Sequence, residues 1–179
     1  MRAGRIFAAI VAAQILFLAG WAGSHEWALR TGKTILLEVQ RVDPRDILRG
    51  DYIILEYPVQ RIPFGLFRPP LNSPPAVGAE IFVELDPAGD TFKVVGASLK
   101  SSGGRADGDG THILLRGRVG ERRWRGIETR TVWVDYGIGK FFVPEGKGTP
   151  RGKMVAVVAV GRGGRPTLKG LLVDGRPYP

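Results

Sequence analysis

The chain has 179 residues, 26 Lys and Arg against 17 Asp and Glu for a formal charge of +9, 44% hydrophobic residues and no cysteine. That length suits one domain with a real core, and the apolar share excludes general disorder. The missing cysteines exclude a disulfide scaffold, a thiolate-held metal and a thiol nucleophile; with His25 and His112 as the only histidines, no metal site and no cofactor is expected.

The first element in chain order is Ile6–Gly23, IFAAIVAAQILFLAGWAG, in which Gln14 is the one polar side chain. At 1.5 Å per residue such a helix covers about 27 Å, close to the thickness of a bilayer core. Arg2 and Arg5 precede it, and Trp21 and Trp27 follow it, where amphipathic aromatics favour the membrane interface. The pattern predicts insertion in a membrane through residues 6–23, with the amino terminus inside. Two forms stay open. The favoured one is an uncleaved anchor over residues 1–28, because the run is longer than the apolar stretch of most signal peptides; the other is a cleaved signal peptide, with Ala22-Gly23-Ser24 as the small-residue site.

Residues 29–179 change character. Apolar or alternating runs recur at Thr34–Gln40, Asp51–Val59, Glu80–Asp86, Phe92–Ser98, Thr111–Val119, Thr129–Tyr136, Met154–Val160 and Thr167–Val173, divided by Gly, Pro and Asp clusters. Their β-branched and aromatic content predicts strands. The fold class expected is all-β, a single sandwich or barrel-like domain behind one amino-terminal transmembrane helix. The last two runs flank GRGGRP, a hairpin turn. Between the early runs, Ile62–Gly78 carries five prolines together with Phe64, Leu66, Phe67 and Leu71. Proline keeps this segment out of a central strand. Either it packs those side chains on its own core, or Phe64, Leu66 and Phe67 form a docking loop for a partner or the membrane.

Val42–Tyr57, VDPRDILRGDYIILEY, is the most distinctive stretch. Asp43 is expected to cap a single helical turn, with Pro44 at its first position and Gly50 ending it. A strand then begins at Asp51, with Ile53, Leu55 and Tyr57 on one face and Tyr52, Ile54 and Glu56 on the other. Arg41, Arg45 and Arg49 alternate with Asp43, Asp46 and Asp51. This charge pattern reads either as a network that fixes a turn or as a recognition patch at the rim of a sheet.

Gly50-Asp51-Tyr52-Ile53-Ile54-Leu55-Glu56-Tyr57 resembles the signature of the GDYXXLXY family of bacterial proteins. Tyr136-Gly137-Ile138 with Phe141–Gly146 resembles the family's second block, and Leu168–Gly175 its closing block. The resemblance implies a single-pass bacterial inner-membrane protein with an extracytoplasmic carboxy-terminal domain. It also implies association with a multi-spanning membrane protein, and it supplies location and company rather than a reaction. The motif residues it points to are Asp43, Pro44, Arg45, Asp46, Arg49, Gly50, Asp51, Tyr52, Leu55 and Tyr57.

Two chemistries bear on these residues. Pro44 followed by Gly50-Asp51 and an apolar strand is similar to the start of the signal peptidase catalytic domain, but Gln40, Arg41, Val42 and Asp43 offer no hydroxyl to form an acyl-enzyme. Paired carboxylates for general acid–base work leave Asp46, Asp51 and Glu145 as catalytic candidates. With Arg2, Arg5 and Glu26 set aside the domain keeps a charge of +8, and Arg116, Arg118, Arg122, Arg123, Arg125 and Arg130 are close in sequence around Trp124. For an exported domain this basicity suits an anionic envelope surface or an acidic partner rather than nucleic acid. The expected function is a membrane-anchored interaction or accessory module of a membrane complex, with an envelope hydrolase as the alternative.

Overall fold

The computed structural model describes residues 2–45, 52–99, 112–121, 130–143 and 150–178. A single helix, α1 (Arg2–Thr31), is followed after Gly32 by strand β1 (Lys33–Glu38). Within α1, Gly4–Gly23 is long and apolar enough to cross a membrane and is not buried in the domain. The remaining strands are β2 (Arg41–Arg45), β3 (Tyr52–Glu56), β4 (Arg61–Pro63), β5 (Glu80–Ala88), β6 (Thr91–Ser98), β7 (Ile113–Val119), β8 (Thr131–Asp135), β9 (Lys140–Phe142), β10 (Met154–Val160), β11 (Pro166–Val173) and β12 (Arg176–Tyr178).

The strands form three antiparallel groups, in the orders β1-β10-β11-β12, β2-β3-β9 and β4-β8-β7-β5-β6. They curl into a nearly closed, barrel-like β domain. β1 lies beside β6, and Phe141 of β9 packs on Tyr178 of β12 with ring centroids 6.2 Å apart. Two bulges bend the wall, one at Glu84/Leu85 against β6 and one at Val157/Val158 against β11; an extra residue on one strand raises local twist and curvature, which closure requires. One continuous core fills the interior, with Ile35, Leu55, Ile62, Ile81, Leu115, Val158 and Leu171 all essentially sealed from water. Each such side chain contributes about 1.5–3 kcal/mol by leaving water, so the wall and its contents stabilise each other.

All eight strands expected from the apolar runs are present, with ends shifted by a few residues. The run from Asp51 stops at Glu56 because Pro58 opens a short 3-10 turn over Pro58–Gln60. The β10–β11 hairpin closes through Gly161–Arg165, with the Gly161 N–H donating to Arg165 O at 2.9 Å. The β11–β12 turn is Asp174-Gly175, both at positive φ (49° and 78°), the backbone that a tight hairpin demands and that Asp-Gly tolerates.

One expectation is corrected. The helical turn at Asp43 is absent: Arg41–Arg45 is extended and pairs with β3, Pro44 standing opposite Ile53. β2 is the edge of its sheet, and an edge strand accommodates a proline that has no N–H to give. Of the two readings of the proline-rich segment, the structure agrees with the packed one. Phe64 and Phe67 are buried and Leu66 is half-buried against the core. The Arg68 N–H donates to Ala97 O at 2.8 Å, pinning the proline-rich segment to β6. Burying two phenyl rings outweighs the irregular backbone that the prolines impose.

Candidate functional site

Tyr52–Glu56 of the signature stretch form β3, and the site is built on two buried tyrosines. Tyr57, 1% exposed, ends the strand and donates its hydroxyl to Ile138 O at 2.9 Å. Tyr136, 6% exposed, donates its hydroxyl to Val59 O at 2.8 Å. Each ring therefore comes from one sequence block and bonds the backbone of the other. Gln60, the one buried polar side chain among the described residues, completes the turn: its Oε1 accepts the Tyr57 N–H at 2.8 Å while its own N–H donates to Tyr57 O at 3.0 Å. The Leu55 N–H donates to Gly139 O at 2.9 Å. Burial pushes both phenol pKa values well above the usual tyrosine range, since an unpaired phenolate in an apolar site loses its hydration. These are neutral hydrogen-bond donors that tie two distant segments together, not acids poised for proton transfer at neutral pH.

Gly117 makes room for this arrangement. A Cβ there would stand 2.9 Å from the Tyr136 ring and 3.0 Å from Asp135 O, and closer still to Val134 Cγ1. Side chains of β3 alternate as the pattern requires: Ile53, Leu55 and Tyr57 point into the core, and Tyr52, Ile54 and Glu56 are half-exposed.

The outer face is different in kind. Tyr52 stands opposite Phe142 in the β3–β9 register and Ile54 opposite Lys140. The Tyr52 and Phe142 rings meet at 6.2 Å with a 53° tilt, and Lys140 Nζ lies 5.6 Å from the Tyr52 ring centroid. Phe142 is 74% exposed, the most exposed large apolar side chain described outside α1. On the other side of β3, the register places Arg45, Asp43 and Arg41 opposite Tyr52, Ile54 and Glu56.

Of the motif residues, Tyr52, Leu55 and Tyr57 have described side chains, and Asp43, Pro44 and Arg45 are placed by backbone register. Asp46, Arg49, Gly50 and Asp51 lie outside the described residues, as does Glu145. So do Arg122, Arg123, Trp124 and Arg125. Leu55 and Tyr57 are core residues; Tyr52 alone among the described motif side chains reaches the surface as part of a cluster. Gln60, Tyr136, Lys140 and Phe142 were missed as site-forming residues. The exposed second phenylalanine of Phe141-Phe142 had a signal, since adjacent residues on a strand face opposite ways and only one of them can enter the core.

Among the described residues no group of three His, Asp or Glu side chains converges as metal ligands. The architecture is that of a small barrel-like β domain behind one apolar helix, with a tyrosine-locked motif strand beside which β9 sets Lys140 and Phe142. The GDYXXLXY protein family model matches residues 14–171, and the chain belongs to that family. No curated protein and no solved structure matches it.

Proposed function

We propose that the protein is a membrane-anchored accessory module. Its β domain lies outside the cytoplasm and docks a multi-spanning membrane protein through the outer face of β3 and β9. The observation that carries this reading is Phe142, held in place by Tyr52 yet 74% exposed. A phenyl ring fixed in water gains nothing for the fold, and burying its remaining surface on a partner is worth about 2–3 kcal/mol. Aromatic side chains are enriched at the centre of protein interfaces. Lys140, beside the Tyr52 ring, adds a cation to that face and suits it to a partner segment with acidic groups.

The anchor supports the same reading. Positive charge before the apolar run and a long domain after it favour an inside amino terminus. A carboxy-terminal alkaline phosphatase fusion is therefore expected to be active, and an inactive fusion contradicts the orientation. Phe142→Asp is expected to leave folding intact and to abolish co-purification with the partner; retention of the complex refutes docking through this face.

The hydrolase alternative keeps one supporting observation. Arg45, Tyr52 and Phe142 are register neighbours at one end of the sheet, and Asp46 and Asp51 adjoin Arg45 and Tyr52 in sequence. Asp51→Asn would then abolish turnover and spare assembly, whereas the docking reading expects no turnover to lose.

A further inference from the structure

A second charged site lies apart from the motif strand, where Arg116 and Arg118 of β7 meet Arg165 of the β10–β11 hairpin around a cleft of ≈ 400 Å³. Its placement follows from register. β1 begins one residue after α1 ends, Lys33 stands opposite Val160, and Val160 stands opposite Pro166. The hairpin turn therefore sits at the end of the sheet where the helix enters, and α1 itself touches β10.

The hairpin is fixed against β7. Gly164, at φ +78°, approaches so closely that a Cβ there would stand 2.7 Å from Leu114 O and 3.2 Å from the Arg116 N. This is possible because β8 pairs with β7 only at Arg118 and Val119, leaving the Leu114–Arg116 edge open to the turn. Arg165 is thereby delivered to the β7 arginines. The cleft's two carboxylates are already engaged: Glu80 pairs with Arg116, and Asp135 Oδ1 accepts the Gly137 N–H at 2.8 Å. Arg118 and Arg165 are both exposed, and no carboxylate among the described residues pairs with either. Arg118 stands opposite Glu80 and Asp135 in the register without an ion pair to either, so the cleft carries three guanidinium groups against two carboxylates; guanidinium forks match the oxygens of a phosphate, which they bind in bidentate fashion.

We infer that this cleft binds the phosphate of an anionic phospholipid headgroup, in the leaflet from which α1 emerges. Basic side chains held at a bilayer surface are drawn to anionic lipid within about one Debye length. Lipid so bound would orient the barrel on the membrane and turn the β3–β9 face toward a neighbouring protein. The inference rests on the reading of α1 as an anchor.

The test uses the full chain reconstituted in vesicles of phosphatidylcholine alone or with phosphatidylglycerol. Arginine modification by phenylglyoxal is read by peptide mass spectrometry. Arg118 and Arg165 are expected to react about tenfold more slowly with phosphatidylglycerol present, as bidentate phosphate contacts shield the guanidinium. Arg176, beyond the turn at the far end of the sheet, is expected to react at the same rate in both. Arg165→Gln should restore most of the Arg118 reactivity. Equal reactivity in both vesicles, or equal slowing of Arg176, overturns the site. Protection by free glycerol phosphate in phosphatidylcholine vesicles, matching that by the lipid, overturns the lipid as ligand. Alkaline carbonate extraction of the same vesicles reads the anchor separately: retained protein with unprotected arginines refutes the cleft alone, and released protein refutes both.

Discussion

The reciprocal tyrosine lock makes a quantitative demand on stability. Tyr57→Phe removes a hydroxyl that satisfies Ile138 O, and Tyr136→Phe removes one that satisfies Val59 O. Neither change alters shape or apolar area, so the cost is that of a buried carbonyl left without its donor, about 1–2 kcal/mol each. A domain of this size loses about 2–4 °C in Tm per kcal/mol, so each variant is expected to melt about 2–8 °C lower. The assay is thermal unfolding of the full chain in detergent, followed by circular dichroism at a β-sheet wavelength. The double variant is expected to lose more than either single one. Coupling of the two changes reads how far the rings act as a unit, because they bridge the same pair of segments. Two single variants that both melt within about 1 °C of the parent would refute the lock, and with it the claim that the final tyrosine of the motif serves the fold.

Three further outcomes follow from the same geometry. Both phenols stay protonated in the folded domain, whereas unfolded tyrosine ionises near pH 10. The unfolded chain therefore releases protons first, and stability is expected to be intact below about pH 10 and to fall above it by up to about 1.4 kcal/mol per pH unit for each tyrosine. Denaturant titrations from pH 9 to 12 check this, and a slope unchanged in the double Phe variant contradicts it. Gly117→Ala pushes a methyl group into Val134, Tyr136 and the Asp135 carbonyl, and is expected to cost about 1–3 kcal/mol by overpacking; an unchanged denaturation midpoint would show that the wall yields there. Asp174→Ala loses the carboxylate that accepts the Lys153 N–H at 2.9 Å and places alanine at φ 49°. A loss of about 1–2 kcal/mol is expected, and Asp174→Asn, which keeps both the acceptor and the tolerance of that backbone, should recover most of it.

Much of the barrel was legible because its long strands carry their own instructions. Ile53, Leu55 and Tyr57 enter the core as period-two alternation dictates, and the glycines of GRGGRP mark the hairpin that closes β10 on β11. The strands missed are β2, β4, β9 and β12, each of three to five residues. So short a run shows no period, and these strands exist only because a distant partner pairs with them. β2 shows this most clearly: Asp43-Pro44 locally favours a helix start, and pairing with Ile53 and Ile54 overrides that preference. The tyrosine exchange was hidden for a related reason, since Tyr57 and Ile138 are 81 residues apart in sequence. The outer cluster was half-visible. Tyr52 stood in the recognised motif, but its pairing with Phe142 depends on a β3–β9 register that no local pattern encodes. In the proline-rich segment, composition left packing and a surface role both open, and Phe64 and Phe67 lie in the core.

The central claim is that β9, paired with the motif strand, presents Phe142 to a membrane-protein partner. The most direct measurement replaces Phe142 with a photo-crosslinking phenylalanine analogue in the full chain and irradiates intact membranes, with the buried Leu55 position substituted as the control. The account predicts one recurrent crosslinked product at position 142, a detergent-extractable multi-spanning protein, absent from the control and lost on Lys140→Glu. Crosslinks to lipid alone, or no product at position 142 in a folded and inserted protein, would contradict it.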